Sequence, residues 1–445
     1  MLDKLKFVEK NLSPGLKKII HNIGWLSAER ILNMTISFFV GIYVIRYLGA
    51  ENFGKLSYSI SFVALFTAIS KLGLDQIVIR NLVKEKNTTL EVLGTAFILK
   101  FIGSLLAIGL TFVSIQYATN DIEIYKMTII IALGLIFSSF GVLDLWYQSQ
   151  VLSKPIAIAR SIQFIISSIA KIIFIILKFP VIAFAYLLLT DSIIRAIAII
   201  IVYTQSNQSI FRWKIKKSSA INLLKDSWLL VMSNVMVTIY MKMDQVMLGN
   251  MSSTQEVGNY AAAVRFSEVC YFIPMIICSS VFPSIIKAKQ RSLREYIAKI
   301  QKLYDFMILL SLFIAVFITF TSDLLIIKML GSEYSVAGKI LIVHIWSGIF
   351  IFLGVARDKW LIAENAVSIH FATQLFGALT NVLLNLIFIP KYGAIGAAIS
   401  TLISYGIFAY LSCFIFPSMF HTGWMLTKSL LFPFRFKKII RSFQQ

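Results

Sequence analysis

The chain has 445 residues, of which 58% are hydrophobic and 14% charged, against roughly 45–50% and 25% in soluble domains. A surplus of that size cannot be buried in one soluble core, so composition excludes an ordinary globular protein and points to a bilayer. The net charge of +21 raises nucleic acid as a partner until the placement of the charges is considered.

Apolar runs of about 20 residues, the length a helix needs to cross hydrocarbon while satisfying its own backbone, recur from Gly24 almost to the end of the chain. They predict an all-α integral membrane protein of about twelve transmembrane helices. Residues 1–23 read as a basic amphipathic cytoplasmic segment, broken at Ser13-Pro14-Gly15, without the apolar core and small-residue cleavage site of a signal peptide. Spans are expected near residues 24–48, 55–69, 90–117, 124–148, 156–178 and 181–203, then at the hairpin over 240–283, and near 303–320, 340–361, 368–389 and 394–416. The longest polar interruption, 204–227, reads as a cytoplasmic linker between an N-terminal bundle, 24–203, and a C-terminal bundle, 228–416; a basic tail, 417–445, closes the chain.

Lys and Arg cluster in residues 1–23, 80–86, 212–217, 287–299 and 435–441 and are sparse in the alternate loops. By the positive-inside rule the rich side is cytoplasmic and holds both termini. Most of the basicity therefore reports topology, and no nucleic acid partner is expected. Cys270, Cys278 and Cys413 lie in apolar runs without CxxC spacing, and His21, His344, His370 and His421 are scattered, so neither a disulfide nor a metal site is expected, and no cofactor.

A short internal repeat is readable. Tyr47-Leu48-Gly49, Asn52-Phe53-Gly54 and Leu56-Ser57-Tyr58 can be laid over Met247-Leu248-Gly249, Glu256-Val257-Gly258 and Tyr260-Ala261-Ala262. It implies two six-helix bundles entering from the same side, related by an axis along the membrane normal, around a central cavity.

Charges inside the spans are the candidate functional groups, because an ionisable residue at mid-bilayer costs on the order of 2.5–3.5 kcal/mol on insertion scales. Arg160 and Asp144 lie about a turn from the ends of their spans and are expected to snorkel; Asp191 and Arg195 are four apart and are expected to pair. Arg30 lies near the inner end of the first span, and Lys100, Lys171 and Arg265 lie two or more turns inside theirs. Lys242 and Asp244 precede the turn of the 240–283 hairpin, and Arg265 and Glu268 follow it. An interhelical salt bridge explains any one of these cations as well as a ligand does. As a set, cations outnumbering acids favour a multiply charged anion such as a pyrophosphate.

The aspartate about one turn before Leu248-Gly249, then Glu256-Val257-Gly258-Asn259-Tyr260, Arg265 and a kinking Pro274, closely resembles the middle hairpin of bacterial polysaccharide (O-antigen) lipid-linked oligosaccharide flippases, members of the multidrug/oligosaccharidyl-lipid/polysaccharide exporter superfamily. The stretch Lys71 to Val83, with Gly73-Leu74-Asp75 and Arg80, resembles a second signature of that family, in which a glutamate usually follows the arginine; Asn81 stands there in this chain. The resemblance implies a transporter and not an enzyme. It implies a protein of the bacterial inner membrane that moves an undecaprenyl-pyrophosphate-linked sugar unit from the cytoplasmic to the outer leaflet by alternating access. The implied partners are the lipid-linked oligosaccharide, membrane lipids, a coupling proton or sodium ion and other polysaccharide assembly proteins. On this reading Arg30, Lys100, Lys171, Lys242 and Arg265 bind substrate, and Asp244 and Glu268 are the candidates for ion coupling.

Three other classes compete. A cation-coupled drug exporter would favour an acidic cavity, whereas the deep charges here lean basic. A polysaccharide polymerase would carry a sizeable outer loop and a glycosyltransferase a nucleotide-binding motif; neither is found. A scaffolding membrane protein would not retain so many intramembrane charges.

Overall fold

The computed structural model describes residues 14–364 and 366–431; the expectations for residues 1–13 and 432–445 fall outside them. Among the described residues the chain forms fifteen α-helices and no strand. In chain order they are α1 Pro14–Lys71, α2 Leu74–Lys84, α3 Thr89–Ala118, α4 Ile122–Ser138, α5 Val142–Ser149, α6 Ser153–Ile176, α7 Val181–Gln205, α8 Lys217–Met251, α9 Thr254–Glu268, α10 Phe272–Arg291, α11 Leu293–Leu330, α12 Ser335–His344, α13 Ser347–Ala363, α14 Val367–Ala409 and α15 Phe420–Leu430.

Helix lengths show how these become membrane passes. At about 1.5 Å per residue, α1 would run roughly 87 Å and α14 roughly 65 Å if straight, against about 30 Å of hydrocarbon. Each is broken at a glycine in the left-handed half of backbone space, Gly49 (φ 70°, ψ 170°) in α1 and Gly393 (φ 54°, ψ −133°) in α14. A side chain at either would be strained. Among the described residues eight helical stretches are long and apolar enough to cross a membrane, and the pair α12 and α13, bent by 46°, makes a ninth. Dividing two of the nine at Gly49 and Gly393 and adding α8, whose polar residues include Lys242 and Asp244, gives the twelve passes that the apolar runs predict.

Pro274 lies within the helical stretch Thr254–Arg291, three residues beyond a single 3₁₀ turn over Val269–Tyr271 that separates α9 from α10.

The helices gather into two compact units. The first comprises Met1–Tyr47 and Phe62–Val235; the second comprises Leu48–Ser61 and Met236–Gln445. The core of the first is built on Leu74, Val78, Leu82, Leu93, Val142, Tyr147 and Tyr203. Tyr147 donates its hydroxyl proton to the Val202 carbonyl at 2.9 Å, which satisfies the polar end of a buried ring. The second unit centres on Tyr304, Met307, Phe352, Leu353 and Met425, so α15 closes onto it through Met425 and Leu426. Outside these cores large apolar side chains are exposed along helix faces, such as Ile102, Leu106 and Val113 on α3 and Phe313, Phe317 and Phe320 on α11. Such faces are stable against lipid and not against water.

Candidate functional site

In the first unit, acids lie against the deep cations. Lys100 on α3 is buried, with its Nζ 2.5 Å from Oδ1 of Asp75 in the first turn of α2. Gly73 (φ 58°) sets that turn, and a Cβ there would collide with the backbone of Leu230 and Val231 in α8. Arg80, one face further along α2, pairs with Asp226 of α8, and its Nε donates to Asn81 Oδ1 at 3.3 Å. The arginine of the second signature thus takes its acid from another helix instead of from position 81.

Lys171 on α6 lies 3.6 Å from Asp191 on α7, and Ser167, one turn earlier, donates to the same carboxylate at 2.7 Å. Asp191 therefore faces Lys171 and not Arg195, which is exposed. Arg160 reaches Asp144 at 2.9 Å and Glu29 at 3.7 Å, so this arginine and aspartate form an interhelical pair. Arg30 is exposed on α1.

The second unit contains a buried carboxylate of a different kind. Asp244 on α8 is 2% exposed. Its Oδ1 accepts from Asn381 Nδ2 at 2.9 Å and Asn385 Nδ2 at 2.6 Å; its Oδ2 accepts from Tyr260 Oη and Thr401 Oγ1, each at 2.6 Å. Asn381 and Asn385 are four apart and share one face of α14 before the Gly393 break, and Thr401 lies beyond it. Folding the two arms of α14 together at Gly393 is what brings all three to one carboxylate. Glu256 holds that fold: its Oε2 accepts the Ala394 N–H at 2.6 Å, and Tyr260 stands one turn further along α9. Glu333 plays the same part at the other break, with Oε1 accepting the Ala50 N–H at 2.9 Å beside Gly49.

Among the described residues no Lys or Arg nitrogen lies within 4.0 Å of Asp244. A buried carboxylate held only by neutral donors is costly unless it carries a proton or a cation. Among the described residues the buried Oδ1 of Asn385, on the same amide that donates to Asp244, has no hydrogen-bond partner. Carboxylate, amide and hydroxyl oxygens are the donor set that a hard cation takes.

The structure does not bring Lys242 into ion-pair range of this carboxylate. Lys242 is two positions from Asp244, a spacing that directs side chains apart on a helix. Arg265 on α9 is half-buried, with Glu268 as its electrostatic neighbour. Next to them, Ser267 Oγ lies 2.7 Å from Nδ1 of the buried His344, whose ring meets that of Tyr260 edge-on at 5.9 Å. Tyr260 thus connects the Asp244 cluster with His344.

Two further ionic groups in this unit escaped the sequence reading. Arg357 on α13 is fully buried. It donates to the Phe408 carbonyl, to Ser412 at 3.1 Å and to Asp358 at 3.1 Å, and its guanidinium lies 4.5 Å from the centre of the Phe408 ring. Glu364, just past α13, takes Lys289 Nζ at 2.9 Å and the Tyr296 hydroxyl at 2.7 Å. Burial pushes the Glu364 carboxyl up, but the bonds from Lys289 and Tyr296 outweigh it and hold the group below the ordinary carboxylate range.

Comparison with known proteins places this architecture. Two relatives come from Haloferax volcanii. The probable low-salt glycan biosynthesis flippase Agl15 is 23% identical over 222 residues, 47% of either chain, so the alignment spans about half of that relative. The probable flippase AglR is 25% identical over 398 residues, 86% of this chain and 80% of that one. Among solved structures, the lipid II flippase MurJ in an inward closed conformation superposes with a TM-score of 0.71 over 91% of this chain and 90% of its own, at 18% identity, a likeness of fold. Residues 19–289, more than half the chain, match the family of polysaccharide biosynthesis proteins, and this multi-pass membrane protein belongs to that family.

Proposed function

We propose that the protein is a flippase that moves an undecaprenyl-pyrophosphate-linked oligosaccharide repeat unit, of the O-antigen type, from the cytoplasmic to the outer leaflet of a bacterial inner membrane. The observation that carries this reading is the family match over 19–289, together with two relatives named as probable flippases. The Lys/Arg asymmetry of the loops supports cytoplasmic termini. Two six-helix halves working by alternating access would carry a charged head across without exposing it to hydrocarbon.

In the second unit we assign Arg265 and Lys242 to the substrate head. Arg265 is the stronger of the two because its planar fork can take two phosphate oxygens while lysine offers a point charge. In the first unit we assign Arg30, with Lys100 and Lys171 binding only in competition with Asp75 and Asp191. Ion coupling we place on Asp244, where a proton or a sodium ion would neutralise a carboxylate whose donors among the described residues are all neutral. Glu268, beside Arg265, is the weaker candidate for that role.

The experiment is a deletion strain of the source organism that retains its glycosyltransferases. With the gene absent, lipid-linked repeat units should accumulate in the inner leaflet and surface glycan should be lost, and the wild-type gene should reverse both. Normal surface glycan in the deletion strain would contradict the assignment.

A further inference from the structure

The segment joining α7 to α8 is the longest polar interruption in the chain, yet it is strapped onto α3. The Trp213 ring packs on Phe97 with centroids 5.4 Å apart, and its Nε1 donates to Tyr203 Oη at 3.3 Å. The Lys214 N–H donates to the Leu90 carbonyl at 3.2 Å, the Lys216 N–H donates to Thr95 Oγ1 at 3.2 Å, and Lys216 Nζ lies 3.5 Å from Glu91. Gly94 permits the approach, since a Cβ there would meet Trp213 Cβ at 3.0 Å.

Other side chains of the segment point away from the protein. Phe211 is 100% exposed and Ile215 is 65% exposed. Arg212, Lys214, Lys216 and Lys217 are exposed among them, and no acid occurs between Ser206 and Lys225. The apolar face continues into α8, where Ile221, Leu224 and Trp228 are exposed on one side while Leu223 and Ser227 are buried on the other.

The depth of the strap follows from α3. That helix has 30 residues, about 45 Å, so it outruns the roughly 30 Å of hydrocarbon by about ten residues. Its polar positions Thr89, Glu91 and Thr95 fall in the first two turns, and its lipid-facing stripe begins at Ile102. The strap is fixed to Leu90, Thr95 and Phe97, in the end of α3 that precedes this stripe.

We propose that residues 210–228 form an interfacial anchor for anionic lipid headgroups on the Lys/Arg-rich side of the membrane. Phe211 and Ile215 enter the acyl boundary, and Arg212, Lys214, Lys216 and Lys217 meet the phosphates. An apolar pair flanked by four cations, one of them shared with Glu91, is complementary to an anionic bilayer surface.

Depth measurement tests this directly. With Cys270, Cys278 and Cys413 replaced by alanine, a spin label is attached at Phe211→Cys, a position with no packing to lose, and a second at Ile102→Cys as a lipid-facing reference. The full-length protein, with a further label at Leu106→Cys deeper in the exposed stripe of α3, is reconstituted into vesicles of phosphatidylcholine alone or with phosphatidylglycerol, and collision with oxygen is compared with collision with a water-soluble nickel complex. The Phe211 label is expected below the phosphates in the anionic vesicles. Replacing the four cations by glutamine should shift it toward water by roughly fivefold in occupancy for each cation removed. A label in water with either lipid would overturn the proposal and leave the surface to a protein partner. Equal insertion in neutral and anionic vesicles would overturn the assignment to anionic headgroups.

Discussion

Gly54 and Gly258 face each other across two helices whose backbones touch. A Cβ on Gly54 would lie 2.9 Å from the Gly258 nitrogen and collide with the Thr254 carbonyl; one on Gly258 would lie 3.1 Å from the Gly54 nitrogen and collide with the Ala50 carbonyl. Small residues that let backbones approach are how helices associate in lipid, where apolar burial drives nothing. This contact joins the outer part of α1, Leu48–Ser61, to α9 within the second unit.

Gly258→Ala should therefore force the two helices apart and lower stability by about 1–3 kcal/mol, the usual cost of overpacking. Thermal unfolding of the purified protein in detergent would show this as a lower midpoint, and Gly258→Val should lower it further. An unchanged midpoint for both variants would mean that the contact contributes nothing.

Arg357 should be far less tolerant than its neighbours in sequence suggest. It is fully buried, and its loss leaves the Phe408 carbonyl, Ser412 and Asp358 short of a donor. Removing one partner of a buried ionic group typically costs about 3–5 kcal/mol. Arg357→Ala should lose most of its folded yield in the membrane fraction, whereas Lys359→Ala, which removes a half-exposed cation two residues on, should retain it.

The pattern of what was readable from sequence has a physical basis. Twelve passes could be read because a bilayer demands a long apolar run for each one. Asp244 could be read as an intramembrane acid for the same reason, but its partners could not. Asn381, Asn385 and Thr401 come from 137, 141 and 157 residues away, and only the fold at Gly393 brings them in. The repeat of Asn381 and Asn385 at helical spacing in an apolar run was the available signal. Arg357 escaped notice because Asp358 follows it directly, so the pair reads as a neutral patch near the end of a span. The glycines divided in role. Gly49 is a turn, whereas Gly54, Gly249 and Gly258 are close approaches inside helices, Gly249 against the Tyr58 ring. Hydrophobic runs do not distinguish these two uses of glycine.

Glu364 predicts a pH dependence. Its carboxyl is held below the ordinary value of about 4.3, so the clamp to Lys289 and Tyr296 contributes fully above that pH and is lost only as pH falls through the lower folded value. The difference in unfolding midpoint between the wild type and Glu364→Gln should stay constant from neutral pH down to about 4.3 and shrink below it. A difference that disappeared between pH 7 and 5 would place the stabilisation in another group.

Arg265 tests the assignment of the substrate head. Arg265→Ala should abolish export while the protein inserts at normal levels, and Arg265→Lys should keep part of it, since charge is retained and the two-pronged grip is lost. If Arg265 served only to neutralise Glu268, the double change Arg265→Ala with Glu268→Ala would restore export. Surface glycan measured alongside protein level separates the two outcomes.

The most direct test is transport by the purified protein in proteoliposomes loaded with a fluorescent undecaprenyl-pyrophosphate-linked oligosaccharide. Movement of the sugar between leaflets is followed by a membrane-impermeant quencher, with and without an imposed proton or sodium gradient. Wild-type protein should move the sugar and respond to one of the two gradients. Asp244→Asn, which keeps the shape of the cluster and removes its charge, should move it without responding to either. Vesicles in which the wild type moves no sugar, or in which Asp244→Asn responds to the gradient as the wild type does, would contradict a flippase coupled to ions through Asp244.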